Sequence, residues 1–230
     1  MSLGYRVLRS VARVAFAAQM RLENSGAERL PRRGPVLFVS NHLGPTDQFA
    51  IVMRLPHEVR ILAKAEVFEW PVIGWLARRG EAIPIRRGAV DREAMRTLRD
   101  LLLRGAAALV FPEGTYVDAD EPLGMIPVKT GAAWLAWHSG AWVVPVAITG
   151  TEIVWTPGRG WRVWRLWRRT RVRVVFGEPY QPTWPAGVAL KVAWRMVADE
   201  MALRIAALLP AGYRGAYALP EPDMLAAPPA

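Results

Sequence analysis

Short apolar runs, each closed by turn-forming residues, alternate along this chain with stretches whose apolar residues recur at helical spacing. Val36–Val39, Ala107–Phe111 and Trp142–Ile148 are such runs. They are apolar at nearly every position and too short for buried helices, which suits strands covered on both faces. Val59–Ala63 and Ala82–Ile85 read as further strands, and Arg171–Phe176 alternates as an edge strand does. Between them lie helical stretches at about Thr46 to Leu55, Val72–Ala77, Ala132–His138 and Ala189–Leu208. Ala94, Met95, Leu98, Leu101 and Leu102 form a helical stripe closed by Gly105. Strands alternating with helices imply an α/β fold, a mostly parallel sheet flanked by helices. No internal repeat and no second domain is visible.

The first 22 residues read as an amphipathic helix, with Val7, Leu8, Val11, Val14, Ala15, Ala18 and Leu22 on one stripe. Arg6, Arg9 and Arg13 fall largely off it. Such a helix either packs on its own domain or lies in a membrane surface, with the arginines on lipid phosphates. The expected organisation is therefore a membrane-associating segment at 1–30, one catalytic domain at 31–210 and a Pro/Ala-rich tail at 211–230, disordered from Pro220. No window reaches the ~18 uninterrupted apolar residues of a spanning helix, because Arg13 and Arg104 break the best candidates. Arg13 also argues against a secretory signal. The absence of cysteine excludes disulfides, thiolate metal sites and a thiol nucleophile, and is consistent with the cytosol. Thirty Lys and Arg against twenty Asp and Glu give a net charge of +10, favouring anionic partners such as nucleic acid, anionic lipid, an acidic carrier protein or a phosphorylated substrate.

In open parallel sheets, sites form beyond the carboxyl ends of the strands, and three punctuated stretches stand there. Asn41-His42-Leu43-Gly44-Pro45-Thr46-Asp47 follows the run Val36–Val39. On one continuous helix, His42 and Asp47 would face different ways. Gly44 and Pro45 instead turn the chain back, and Thr46 is placed to cap a helix carrying Asp47 in its first turn, where the dipole favours a carboxylate. A carboxylate against an imidazole sets its tautomer and stabilises the imidazolium, the orienting half of a triad in which a substrate hydroxyl replaces serine. The competing reading is a histidine satisfied at a strand end. His57, beside Pro56, and His138, on a Trp-rich helical segment, are poorer candidates for a base. The second stretch, Gly80 to Arg87, ends a strand in Arg86 and Arg87, placed to hold a phosphate or to form a solvated basic turn. In the third, Phe111-Pro112-Glu113-Gly114-Thr115, Glu113 is placed to hold a substrate hydroxyl or orient the arginines, and Gly114 lets a backbone amide approach a ligand. An ordinary Pro/Gly turn is the alternative.

In this order and spacing, the blocks resemble the glycerolipid acyltransferase family with the H-x-x-x-x-D motif, whose bacterial type is lysophosphatidate (1-acylglycerol-3-phosphate) acyltransferase. Asn41, His42 and Asp47 match N-H-x-x-x-x-D; Gly80, Ile83, Pro84 and Arg86 loosely match G-x-x-F-I-x-R; Phe111 to Thr115 match F-P-E-G-T-R; and Val144-Pro145-Val146 match V-P-V. Lys64 and Lys129-Thr130-Gly131 look like the family's intervening landmarks, and the likeness covers roughly residues 30–180. The resemblance implies that His42 is the general base for the acceptor hydroxyl and that Asp47 orients it. It further implies that Arg86 binds the acceptor phosphate, that Glu113 and Gly114 shape the acceptor pocket, and that Pro145 lines the acyl-donor side. Asn41, Lys64, Arg87 and Thr115 join these as candidate substrate contacts. No metal or tightly bound cofactor is implied. The donor would be acyl-CoA or acyl carrier protein, the acceptor lysophosphatidate, the product phosphatidate, and the location the cytoplasmic face of the cell membrane, peripheral or monotopic. One residue departs from the pattern: Tyr116 stands where the family's third block ends in Arg. Either Arg87 compensates, or the acceptor is another lysophospholipid or the reaction a phospholipid transacylation.

Trp161, Trp164 and Trp167 alternate with Arg162, Arg165, Arg168 and Arg169. Such a stretch suits a lipid headgroup interface, single-stranded nucleic acid, or packing on the domain's own surface. The amphipathic N-terminus and a lipid substrate favour the membrane over nucleic acid, with attraction that salt weakens.

Overall fold

The computed structural model describes residues 3–17, 19–86, 91–116, 123–156, 160–161 and 169–218. In chain order the elements are α1 (Leu3–Ala17), β1 (Met20–Ser25), β2 (Val36–Ser40), α2 (Asp47–Val52), β3 (Val59–Lys64), α3 (Pro71–Arg79), β4 (Ile83–Ile85), α4 (Arg92–Leu103) and β5 (Ala107–Val110). Then follow α5 (Gly131–Ser139), β6 (Trp142–Thr149), α6 (Thr151–Val154), β7 (Trp155–Thr156), β8 (Gly160–Trp161), β9 (Thr170–Phe176) and α7 (Leu190–Leu208). Seven strands form one sheet in the order β1-β9-β6-β2-β5-β3-β4, while β7 and β8 pair in a separate ribbon. The five strands from β6 to β4 are parallel; β9 runs antiparallel to β6 and carries β1 parallel to itself.

The period of two along β2 divides the core. Leu37 and Val39 face one apolar cluster with Ala94, Leu98 and Leu102 of α4, Ala133 and Leu135 of α5, and Met201 and Ile205 of α7. Val36 and Phe38 face the other, with Ala50 and Ile51 of α2 and with Leu55. Both faces of β2 are covered, which is why its sequence is apolar without alternation.

Three sequence expectations change here. Thr170–Phe176 is not an edge strand, because Met20–Ser25 pairs beyond it. Residues 20–22, expected to end the N-terminal helix, instead open this strand; its six residues MRLENS expose their polar side chains at a true edge, so they lack the apolar run that marks the central strands. The segment 1–30 is thus built into the domain. At the other end, Ala211–Tyr213 and Gly215–Tyr217 form 3₁₀ turns packed on the domain instead of starting a tail. The stretch from Pro220 lies outside the described residues, as do Arg87 and most of the Trp/Arg stretch.

Helix α1 docks through the side carrying Tyr5, Arg9, Ala12 and Phe16. The Tyr5 hydroxyl accepts a hydrogen bond from the Val59 amide at 3.2 Å, and Phe16 stacks on Phe49 with centroids 5.5 Å apart. Arg9 and Arg13 both donate to the Met53 carbonyl, at 3.3 Å each. Two of the three arginines assigned to lipid phosphates therefore cap the carboxyl end of α2, where free carbonyls attract cations. Val14, on the opposite side of the helix, is 77% exposed. Among the described residues no helix is long and apolar enough to cross a membrane.

Candidate active site

The order β2-β5-β3-β4 lines up four carboxyl ends along one edge of the sheet. At or just beyond them stand His42, Glu113, Lys64 and Arg86 in turn. Strands far apart in the chain thus bring the three sequence blocks together, as expected for an open parallel sheet.

The turn after β2 is built around one carboxylate. Asp47 is fully buried, and its Oδ2 accepts from His42 Nδ1 at 2.7 Å, the Leu43 amide at 2.6 Å and the Gly44 amide at 2.9 Å. An ionised carboxylate only accepts, so Nδ1 carries the proton and the Nε2 lone pair is left to take one. No described residue bonds Nε2. The expected Thr46 cap does not form: its side chain makes no cap bond, and its hydroxyl is buried without a protein partner. The Leu43 and Gly44 amides hold the Asp47 carboxylate from the loop side.

Two aromatic rings contact the imidazole. Phe111 stacks on it with centroids 4.0 Å apart and planes at 16°, while Tyr116 meets it nearly perpendicular at 5.0 Å. The sequence marks Phe111 only as part of a motif; an aromatic residue at the end of a buried strand, next to the strand leading to the histidine, is the signal that singles it out. Tyr116, the departure from the family pattern, thus adjoins His42 itself.

Glu113 has a different role from the one expected. Its Oε1 accepts from the His42 amide at 2.8 Å and its Oε2 from the Ile126 amide at 2.9 Å. Both oxygens brace the backbone, so the carboxyl ties the His42 loop to the segment 125–129. It is 2% exposed, and burial pushes its pKa from 4.5 to about 7 against the lowering effect of those two amides.

Asn41 is likewise a brace. Its amide donates to the Ile148 carbonyl at 2.9 Å and accepts from the Ile148 amide at 2.8 Å. A side chain here continues the β2–β6 ladder by one rung, immediately before His42, and both its polar ends are occupied. Pro145 is buried within β6, opposite Val39, and packs closely on Gly177, whose amide donates to the Pro145 carbonyl at 2.8 Å. It is a core residue at this position.

Cations surround the mouth. Lys64 and Arg86, at the ends of paired strands, are exposed. Arg86 donates its backbone amide to Asp91, which also accepts from Ala94 at the start of α4. Gly114, in the left-handed region at φ 73°, leaves room for the Lys129 side chain, whose ammonium lies 2.8 Å from where a β-carbon would be. Thr115 is exposed beside it. The other histidines are elsewhere: His57 packs against Phe38, and His138 Nδ1 donates to the Trp134 carbonyl.

A family model described as acyltransferase matches residues 21–149. Over 140 residues the chain is 36% identical to the lyso-ornithine lipid O-acyltransferase of Pseudomonas aeruginosa, a match covering 60% of this chain and 51% of that protein. Over 189 residues it is 30% identical to the chloroplastic 1-acyl-sn-glycerol-3-phosphate acyltransferase of Arabidopsis thaliana, covering 80% and 50%. The chain thus spans about half the length of these two relatives. The crystal structure of a 1-acyl-sn-glycerophosphate acyltransferase from Thermotoga maritima shares the fold, with a TM-score of 0.68 at 22% identity over 89% of this chain and 78% of that one.

Proposed function

The chain belongs to the acyltransferase family, and from that premise we propose that it moves a fatty acyl group from a thioester, acyl-CoA or acyl carrier protein, to the free hydroxyl of lysophosphatidate, giving phosphatidate. The observation that carries this reading is the Asp47–His42 pair, with Nδ1 held at 2.7 Å and Nε2 left to the substrate. His42 Nε2 takes the hydroxyl proton as the oxygen attacks the thioester carbon. Asp47 stabilises the imidazolium that forms. The tetrahedral intermediate expels the thiolate, which recovers the proton from His42, so the protein ends as it began. The amides of His42, Leu43 and Gly44 are bonded to carboxylates and that of Gly114 to the Phe111 carbonyl. The donors for the oxyanion therefore come from other groups. No cofactor takes part in this scheme.

The acceptor's phosphate is assigned to Lys64 and Arg86. Neighbouring strands lie ~4.8 Å apart, so the ends of β3 and β4 stand roughly 10 and 14 Å from the end of β2 along the sheet edge. Long basic side chains reach back across that gap toward a headgroup whose hydroxyl is at His42. Tyr116 supports a second acceptor. An uncharged ring beside the base suits a lysolipid without a phosphomonoester, and one relative is named for a lyso-ornithine lipid.

A lipid substrate sets the enzyme at a bilayer. Membrane association through α1 is part of this proposal. Its inner side is occupied by the domain, and Val14 stands exposed on the other side. The excess of basic residues adds attraction to the anionic cytoplasmic leaflet.

The test is to incubate the protein with labelled acyl-CoA and acyl carrier protein against a panel of lysolipids and to identify the product by mass. His42→Ala should abolish transfer and leave the circular dichroism spectrum and liposome flotation unchanged. Full activity in that variant would refute the mechanism. Gel shift of single-stranded DNA without liposome binding would favour a nucleic-acid role instead.

A further inference from the structure

The segment 125–129 holds Glu113, and the C-terminal turns hold that segment. The Met125 amide donates to the Tyr213 carbonyl at 3.1 Å, and the Ala216 amide donates to the Met125 carbonyl at 2.8 Å. The Val128 amide donates to the Tyr217 hydroxyl at 3.0 Å. From α7, Arg195 donates to the Val128 carbonyl at 2.7 Å while its guanidinium grips Asp199. The Tyr217 hydroxyl in turn lies 3.5 Å from Asp199. Backbone meets backbone where the two segments cross. A β-carbon on Gly215 would stand 2.2 Å from the Met125 carbonyl oxygen, and one on Gly124 would stand 2.7 Å from the Gly215 α-carbon. Tyr213 fastens the other end of the strap, its hydroxyl donating to Glu152 at 2.8 Å.

We propose that the C-terminal strap Ala211–Tyr217 positions His42, with Tyr217 acting through Val128, Ile126 and Glu113 on the backbone amide of the base. Each link is a hydrogen bond or a short run of backbone, with Pro127 joining Val128 to Ile126, so the base is referenced to α7 as well as to its own turn. The strap lies well beyond the stretch 21–149 that defines family membership. Tyr217 touches neither the imidazole nor a substrate; it is a positioning residue, and Glu113 transmits its effect. Small displacements matter at such a site, since misplacing a reacting group by about 1 Å costs on the order of a hundredfold in rate.

The inference rests on His42 being the base, and the experiment separates the two claims. In the full-length protein, kcat, acceptor KM and amide hydrogen exchange are measured for wild type, Tyr217→Phe, Glu113→Ala, the double variant and His42→Ala. The Tyr217→Phe variant keeps the ring and removes the hydroxyl. It should lower kcat about tenfold with KM within about twofold, and speed exchange at the amides of Val128, Ile126 and His42. In the Glu113→Ala background the same change should have almost no further effect on kcat, because the chain is already cut. Gly215→Ala, which must push Met125 away, should act in the same direction with the hydroxyl intact. Unchanged kcat in Tyr217→Phe, or full multiplication of the Tyr217 and Glu113 effects, would overturn the proposal. An active His42→Ala variant would instead sink the mechanism on which it stands.

Discussion

Replacing Asp47 by Asn separates the structural and chemical duties of one carboxylate. Oδ2 receives three donors, from His42, Leu43 and Gly44. An amide oxygen in the same place still accepts all three, so the turn keeps its bonds. Its new NH₂ replaces Oδ1, which is buried without a protein partner, at a cost of about 1–3 kcal/mol in stability. The charge, however, is gone when the imidazolium forms. With charge centres about 4 Å apart in a site of effective dielectric constant about 20, the lost attraction is about 4 kcal/mol. That corresponds to roughly a thousandfold in kcat. Asp47→Ala differs, because it leaves three buried donors without an acceptor and should destabilise the fold by several kcal/mol, on the order of 1–3 for each donor. Steady-state kinetics beside urea denaturation read both quantities. A well-folded Asp47→Asn protein with kcat within about threefold of wild type would refute electrostatic stabilisation by Asp47.

Glu113 predicts a pH dependence of stability. Its folded pKa of about 7 lies above the unfolded 4.5, so between those values the folded state holds a proton that the unfolded state releases. Stability from this group is present below pH 4.5 and is lost as pH rises to about 7, a total of about 3 kcal/mol. Urea midpoints at pH 5 and pH 8 should show this fall in wild type and lose most of it in Glu113→Gln; parallel curves would contradict it. Asn41→Leu strands the buried amide and carbonyl of Ile148 and should cost about 2–5 kcal/mol by chemical denaturation, so a loss under about 1 kcal/mol would dismiss the brace. Lys64→Gln and Arg86→Gln should each raise KM for a phosphomonoester acceptor about tenfold with little change in kcat. Equal effects on acceptors without a phosphate would place the headgroup elsewhere.

The central strands were legible because burial on both faces leaves an apolar run with no other purpose, as in VLFVS and AALV. The edge strand Met20–Ser25 was not, because half of it meets water and its residues resemble a loop. Among site residues, His42 and Asp47 could be paired from spacing, since the turn between them is local. The partners of Glu113 and Asn41 could not. A carboxylate in a Pro/Gly turn looks the same whether it meets a substrate or the amides of His42 and Ile126, 71 and 13 residues away in the chain.

By itself, then, the sequence determined the alternation of strand and helix, the order of the blocks at strand ends and the presence of a His–Asp pair, because each depends on neighbours within a few residues. Tertiary structure alone decided which polar side chains are left to substrate. Asn41 and Glu113 are bonded to backbone, Pro145 is sealed in the sheet, and Tyr116 stands against His42. A buried polar group must find a partner, and which partner is nearest is set by how β2, β5 and β6 come together with the segments beyond them.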